Sequence, residues 1–165
     1  MHYPKKVLIV EDELELAELL EYALNKAGFK PLVANDGLSA CRIAGSELPD
    51  LILLDIMLPD LDGWEICRLI RGHHRSQLAK TPIVMLTALS SPADRRKGLE
   101  FGADAYLTKP YTVKEVVRVC QEMITSGNRE QVLNESLNYQ SDRDNNSMKS
   151  WSAMQSLFRN TLFQE

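Results

Sequence analysis

Polar side chains that can do chemistry follow the ends of several short apolar segments. Glu11 and Asp12 come directly after "VLIV", Asp55 directly after "LILL" and Thr87 directly after "IVML", while Lys109 closes the run "AYLTK". A carboxylate such as Asp55 at the end of a buried segment loses hydration. It resists ionisation unless a cation or hydrogen-bond donors compensate. The sequence therefore predicts compensating partners around Asp55.

These groups suit a divalent metal ion and a phosphoryl group. Three neighbouring carboxylates raise one another's pKa unless a cation is present, and Mg²⁺ prefers oxygen ligands from carboxylates, water and phosphate. Lys109 can pair with Asp55 before a reaction and with a phosphoryl oxygen after it, while Thr87 can donate a hydrogen bond to another phosphoryl oxygen. Aspartate is a known nucleophile toward phosphorus. Each residue alone has a structural explanation, such as helix capping for Glu11 and Asp12, but the combination favours an aspartyl-phosphate at Asp55.

The elements that must position these residues alternate along the first 125 residues. Five apolar segments have strand length: Val7–Val10, Leu32–Ala34, Leu51–Leu54, Ile83–Leu86 and Ala105–Leu107. Helical periodicity covers residues 13–27, 37–47, 63–71, 92–101 and 112–124. This alternation predicts an α/β fold with a doubly wound, five-stranded parallel sheet. Ligands of such sheets bind beyond the carboxyl ends of the strands, where the reactive groups stand.

Local signals agree with the ends of these predicted helices. Asp12 and Glu15 have the spacing of a capping box, and Gly28 is expected to end the first helix. Ser91 precedes Pro92 at a first-turn position. A second glycine, at position 102, is expected to end the fourth predicted helix.

Composition places the chain among ordinary soluble globular proteins. It has 165 residues, 44% hydrophobic and 25% charged, and a net charge of -4, which argues against a nucleic-acid surface. Since it shows neither a membrane span nor a signal peptide, we expect a cytoplasmic protein without membrane contacts. Cys41, Cys67 and Cys120 are widely spaced and are expected to stay reduced. The histidines show no spacing that would build a zinc site with them.

Residues beyond 125 have a different character. Residues 1–125 are expected to form one domain, and 126–150 a polar linker rich in Ser, Asn and Gln. Residues 151–165 regain an apolar stripe with helical spacing, formed by Trp151, Met154, Leu157, Phe158 and Leu162. Three alternatives stay open for this amphipathic segment: a disordered tail, a helix docked on its own domain, or a helix that binds another chain.

The motifs "VLIVEDE", "LILLDIMLPDLDGWE", "PIVMLTA" and "GADAYLTKPY" resemble the receiver domain of bacterial two-component response regulators. The resemblance spans residues 5 to about 124 and contains several motifs in the proper order. It implies the flavodoxin-like strand order 2-1-3-4-5. It also implies that Asp55 accepts a phosphoryl group from a sensor histidine kinase or a phosphotransfer protein.

The resemblance assigns further roles to the residues that match the family's motifs. Asp12, Asp55 and the backbone carbonyl of Met57 would bind Mg²⁺, and Glu11 would assist through water. Lys109 would contact the phosphoryl group.

A second set of roles concerns the switch from the inactive to the active state. The resemblance implies that Thr87 and Tyr106 form the switch pair and that the Lys109–Pro110 peptide bond is cis. Met57 and a leucine at position 89 would flank the path of the attacking water. Neither side chain can orient or deprotonate water, so we expect slow self-dephosphorylation and no further enzymatic activity.

The chain departs from the family pattern in two places. The acidic pair is Glu-Asp rather than Asp-Asp, and Ala105 stands where many DNA-binding relatives carry a second acid. The 40 residues after Thr125 hold four basic and five acidic side chains, so they form no basic patch. We therefore expect output through a downstream protein target and no direct contact with nucleic acid. A homodimer formed on phosphorylation stays open.

Three other functions are compatible with the fold class. A flavodoxin-like phosphate binder needs a Gly- or Ser-rich loop after the first strand, whereas this loop is "EDELE". A haloacid-dehalogenase-type phosphatase needs a second aspartate where Met57 stands. A degenerate receiver that binds its partner constitutively is expected to have lost one of the reactive residues, and Asp55, Thr87 and Lys109 are all present.

Overall fold

The computed structural model describes residues 3–88 and 91–125 of the chain. Five parallel strands form one sheet in the order β2-β1-β3-β4-β5, which confirms the predicted strand order. The strands are β1 Lys6–Val10, β2 Lys30–Ala34, β3 Leu51–Asp55, β4 Ile83–Thr87 and β5 Ala105–Thr108. The predicted linker 126–150, the predicted amphipathic segment 151–165 and Leu89 lie outside the described residues.

Helices connect and cover these strands. They are α1 Leu14–Lys26, α2 Gly37–Glu47, α3 Gly63–Arg71, α4 Ser76–Ala79, α5 Pro92–Phe101 and α6 Val113–Thr125. Five of them confirm the predicted helices to within one or two residues. The sequence did not predict α4, because four residues are too few to show a helical period. None of the described helices is long and apolar enough to cross a membrane.

The sheet separates two hydrophobic clusters, one on each face. Successive strand residues point to opposite faces, so Leu8 and Val10 pack with α2 and α3, while Val7 and Ile9 pack with α1 and α6. All five residues of β3 are buried. The most central strand therefore carries Asp55 at its end, with apolar side chains on both sides.

The helix ends confirm most of the local predictions and correct one. The backbone turns at Gly28 and Gly102 with φ of 91° and 89°, a conformation that favours glycine. Ser91 accepts the Asp94 N–H at 3.1 Å. The predicted capping box of Asp12 and Glu15 is wrong.

The helix instead begins one residue later. Its N-cap is Glu13, whose side chain makes no capping bond. The Glu13 N–H donates to the Glu11 carboxylate at 3.1 Å. The Glu11 carboxylate therefore lies at the edge of the sheet, and no side chain caps the first turn of α1.

A partly buried ion pair fixes the opposite edge of the sheet, where β4 and β5 begin. The guanidinium of Arg71 in α3 lies 2.5 Å from the carboxylate of Asp104 and also donates to the carbonyls of Ala79, Thr81 and Gly102. The same carboxylate accepts the Ile83 N–H at 2.9 Å. This ion pair stabilises the amino edge of the sheet, and the reactive residues lie at the carboxyl edge.

The three cysteines, Cys41, Cys67 and Cys120, form no disulfide bond.

Candidate functional site

The carboxyl ends of the strands bring the predicted reactive residues together. Glu11 and Asp12 follow β1, Asp55 ends β3 and Thr87 ends β4. Asp55 is paired with Leu86 and Thr87 with Thr108 in the parallel ladders. Lys109 follows β5 directly, and its N–H donates to the Thr87 carbonyl at 2.7 Å. Because the strands run in one direction, all of these groups lie at one edge of the sheet.

Asp55 is a buried carboxylate with a partner for each oxygen. Its residue surface is 5% exposed. The Lys109 ammonium donates to Oδ2 at 3.0 Å, and the Met57 N–H donates to Oδ1 at 3.0 Å. A cation and a donor of this kind replace the hydration that a buried carboxylate loses. The predicted compensating partners of Asp55 are therefore present.

Glu11 is even more buried than Asp55, with 1% of its surface exposed. Burial raises the pKa of Glu11 to about 7, and the neighbouring charge of Asp55 adds to the rise. The Glu13 N–H and the Lys109 ammonium, 3.5 Å away, lower the pKa only in part. Glu11 is thus a proton-holding carboxyl near neutral pH unless a cation joins the site.

Lys109 links the two buried carboxylates. Its partial burial lowers the pKa of the ammonium, but the hydrogen bond and charge of Asp55 and the charge of Glu11 outweigh burial, so the pKa is raised. Lys109 therefore stays protonated across the physiological range. A protonated ammonium at this position can pair with Asp55 and can equally pair with a phosphoryl oxygen.

Three carboxylates form an acidic cluster at the carboxyl edge of the sheet. Glu11, Asp12 and Asp55 each place one oxygen within 4.8 Å of the others, and Asp12 is exposed to solvent. Such hard oxygen donors, one of them open to water, match the ligand preference of Mg²⁺. The side chain of Met57 is 68% exposed beside this cluster. The donor set fits the predicted metal.

The predicted switch residues lie on neighbouring strands. Thr87 is buried at the end of β4. The Tyr106 side chain of β5 is half-buried, and its hydroxyl donates to the Asp94 carbonyl at 3.4 Å. Its ring centroid lies 6.0 Å from that of Trp64. The phenol of Tyr106 therefore faces α5 and the start of α3, and the Lys109–Pro110 bond is cis as predicted.

Two further residues, one beside the site and one in the loop that follows Asp55, were missed in the sequence. The Tyr111 hydroxyl is buried without a hydrogen-bond partner in the described part of the chain, and burial raises its pKa to about 12. The Asp60 carboxylate in the loop after β3 binds the start of α2. In the sequence, the only sign of either residue is its place beside a motif. Tyr111 follows "KP", and Asp60 follows "LP".

Comparisons with known proteins agree with this geometry. The sequence model of a family described as the response regulator receiver domain matches residues 7–121. The alkaline phosphatase synthesis transcriptional regulatory protein PhoP of Bacillus subtilis (strain 168) is 46% identical over 112 residues, which are 68% of this chain. The match spans 45% of the length of PhoP, so much of that protein has no counterpart in the alignment.

Solved structures show the same architecture. The chemotaxis response regulator CheY4 of Vibrio cholerae superposes with a TM-score of 0.67 at 31% identity, covering 72% of this chain and 98% of CheY4. The receiver domain of a sensor histidine kinase from Pseudomonas aeruginosa PAO1 superposes with a TM-score of 0.67 at 34% identity, covering 73% and 98%. That domain is described with a magnesium ion coordinated in its active-site cleft.

Proposed function

The chain belongs to the family of response regulator receiver domains, and we propose that it is a phosphorylation-activated switch with Asp55 as the phosphoryl acceptor. The observation that carries the proposal is the setting of Asp55. This carboxylate is 5% exposed, it is bound by Lys109 at 3.0 Å, and it lies within a cluster of three acids. A carboxylate that is shielded from solvent and paired with an ammonium has the properties of a nucleophile toward phosphorus.

The transfer uses groups whose positions are already fixed. An oxygen of Asp55 attacks the phosphorus of a phosphohistidine on the partner. The phosphorus–nitrogen bond breaks, and its electron pair stays on the departing imidazole. Lys109, which holds Asp55 in place beforehand, then pairs with a phosphoryl oxygen. Thr87, at the end of the neighbouring strand, donates to another phosphoryl oxygen.

Asp12, Asp55 and the backbone carbonyl of Met57 would hold Mg²⁺, and Glu11 would assist through water. The ion supplies positive charge that offsets the negative charge of the phosphoryl oxygens and the acids. Glu11 has to release its proton before it can take part, because burial keeps its pKa near 7. Asp12 is the solvent-facing member of the set.

The proposed partners are a sensor histidine kinase or a phosphotransfer protein upstream and a protein target downstream. The 40 residues after Thr125 carry four basic and five acidic side chains, so this segment itself offers no basic surface for DNA. A specific retardation of DNA fragments by the phosphorylated chain would contradict this output. Size-exclusion chromatography of both forms distinguishes a monomer from a homodimer formed on phosphorylation.

Acetyl phosphate provides the direct test of the acceptor. With Mg²⁺ the full chain should gain one acid-labile phosphoryl group in intact-mass spectrometry, and excess EDTA should prevent the gain. Asp55→Asn should abolish it, whereas Asp50→Asn, at the opposite edge of the sheet, should leave it unchanged. Labelling that persists in Asp55→Asn or in EDTA would refute the mechanism. A chain that never gains phosphate would be a constitutive binding module.

A further inference from the structure

The loop between β3 and α3 is fastened to the start of α2 by one side chain. The Asp60 Oδ1 atom accepts the Gly37 N–H at 2.7 Å, and Oδ2 accepts the Leu38 N–H at 3.0 Å. Both oxygens are used, and both donors are 22 or 23 residues away in sequence. These two backbone hydrogen bonds are the main reason that the pKa of Asp60 is lowered. The carboxylate therefore binds as an anion.

This contact does more than cap α2, because the helix already has a cap. The Asp36 side chain accepts the Ser39 N–H at 2.7 Å. That bond satisfies the donor that an N-cap residue ordinarily serves. Asp60 accepts the N–H groups of Gly37 and Leu38, which Asp36 does not bind. It does so from the loop between β3 and α3. The contact thus positions the loop relative to the helix.

Packing at Gly37 shows how closely the loop lies on α2. A Cβ atom at position 37 would stand 2.7 Å from the Leu61 Cβ and 3.0 Å from the Ile66 Cδ1. Both separations are shorter than an ordinary van der Waals contact. Only a glycine leaves room for Asp60 to reach the backbone while Leu61 lies above it.

The same loop carries the backbone of the reactive site. It begins at Asp55, and the Met57 N–H donates to Asp55 at 3.0 Å. Its far end is held where the Gly63 N–H donates to the Ile56 carbonyl at 2.8 Å. Asp60 fastens the middle of the loop to α2. Met57 lies in the part of the loop between the end of β3 and Asp60.

We propose that Asp60 is a positioning residue of the phosphoryl-acceptor site, a role that rests on the proposed function. By binding the backbone of α2, it holds the loop so that the Met57 peptide stays aligned with Asp55. Asp60 reaches no reacting atom itself. Its removal loosens the Met57 N–H that donates to Asp55 and the neighbouring carbonyl that would face Mg²⁺. Groups that hydrogen-bond to a metal ligand commonly change metal affinity by about 10- to 100-fold, and Asp60, one step further from the ion, is expected at the lower end of that range.

Two substitutions loosen the loop from opposite sides. Asp60→Ala removes both acceptors, and Gly37→Ala pushes Leu61 away from α2. Each is expected to weaken Mg²⁺ binding, measured by isothermal titration calorimetry, by about tenfold. Asp60→Asn retains one carbonyl oxygen for the two donors and should fall between Asp60→Ala and the wild type. The phosphorylation rate with acetyl phosphate should fall at limiting Mg²⁺ and recover at saturating Mg²⁺.

Asp50→Ala is the matched control. Asp50 also binds backbone and side-chain donors across a long sequence separation, accepting the Lys6 N–H at 2.8 Å and the Lys5 ammonium at 3.0 Å. It lies at the opposite edge of the sheet, so its loss should lower stability without changing Mg²⁺ affinity. Unchanged affinity in Asp60→Ala, or an equal change in Asp50→Ala, overturns the proposal.

Amide hydrogen exchange separates this proposal from the proposed function. In metal-free protein the Met57 amide should exchange faster in Asp60→Ala than in the wild type, and Asp50→Ala should not show this. If the wild type takes no phosphoryl group, the proposed function fails, yet Met57 exchange still decides whether Asp60 holds the loop. Equal exchange in Asp60→Ala and wild type contradicts the positioning role.

Discussion

The phenol of Tyr106 fills the space that a side chain at Gly98 would occupy. A Cβ atom built on Gly98 would overlap the Tyr106 hydroxyl and the adjacent ring carbons. The hydroxyl meanwhile donates to the Asp94 carbonyl, one turn earlier in α5. The helix therefore carries a glycine, which costs helix stability, at the point where the tyrosine lies. The inward position of Tyr106 depends on this glycine.

Gly98→Ala should expel Tyr106 from this position. Overpacking of this kind costs about 1–3 kcal/mol, and the loss should appear as a lower free energy of unfolding in urea. Trp64, whose ring centroid is 6.0 Å from that of Tyr106, should change its fluorescence in a Trp151→Phe background. Gly45→Ala is the control, because a Cβ at Gly45 meets nothing within 4 Å. That change should stabilise helix α2 by up to about 1 kcal/mol. Equal effects of both substitutions would contradict the role of Gly98.

Much of the reactive site could be predicted because it depends on strand ends. A parallel sheet places the residues after each strand at one edge, so Asp55, Thr87 and Lys109 could be grouped from their positions alone. The strand order came from the family resemblance rather than from periodicity. The structure confirms that the Lys109 ammonium contacts Asp55 and that Thr87 ends the neighbouring strand.

The residues that the sequence did not reveal act through contacts made between distant segments. Asp60 and Gly37 are 23 positions apart, and no periodicity links them. The need for a glycine at position 98 comes from Tyr106, which lies on a different element. Tertiary contacts decide these two positions, and local patterns do not reveal them. The capping box of Asp12 failed for a local reason, because the Glu13 N–H donates to the carboxylate of Glu11.

The ion pair of Arg71 and Asp104 predicts a stability effect without a functional one. The two side chains are 22% and 11% exposed, and Arg71 also binds three carbonyls. Arg71→Ala removes the cation of the pair together with its bonds to three carbonyls, and it should lower the free energy of unfolding by about 3 kcal/mol. Since the pair lies at the edge opposite Asp55, the phosphorylation rate of the folded protein should not change.

Arg68→Ala is the matched control for Arg71→Ala. Arg68 pairs with Glu65 on the exposed surface of the same helix. Exposed pairs of this kind contribute little, so no measurable loss in urea is expected. Arg71→Lys should recover only part of the stability, because an ammonium cannot match a planar guanidinium that reaches several acceptors. A full recovery would show that charge alone matters.

The lifetime of the phosphorylated state should depend on Met57. Its thioether side chain, 68% exposed beside the acidic cluster, cannot orient or deprotonate an attacking water. The double variant Met57→Asn with Leu89→Glu should lose phosphate at least about tenfold faster. Decay of the acid-labile group after removal of acetyl phosphate measures this. Leu19→Gln, which changes a half-exposed leucine of α1, should leave the lifetime unchanged. A wild type that loses its phosphate within seconds would contradict the slow decay.

The raised pKa of Glu11 predicts how stability depends on pH in metal-free protein. Below its ordinary value of 4.5 the carboxyl is protonated in both states, and folding costs no proton. Between pH 4.5 and about 7 the folded state keeps a proton that the unfolded state has lost. Stability should therefore fall as pH rises through this window, by about 3 kcal/mol in total. Urea unfolding in EDTA at pH 5 and pH 8 measures the difference.

Glu11→Gln isolates this contribution, because a neutral amide cannot titrate. The stability of wild type relative to Glu11→Gln should be higher at pH 5 than at pH 8, since the advantage exists only while Glu11 is protonated. Mg²⁺ needs the ionised carboxylate, so its binding at pH 6.5 should release protons, and its affinity for the wild type should rise as pH increases toward 8. Proton release is measured by titration calorimetry in buffers of different ionisation enthalpy. Parallel stability curves for the two proteins would show that Glu11 titrates in its ordinary range.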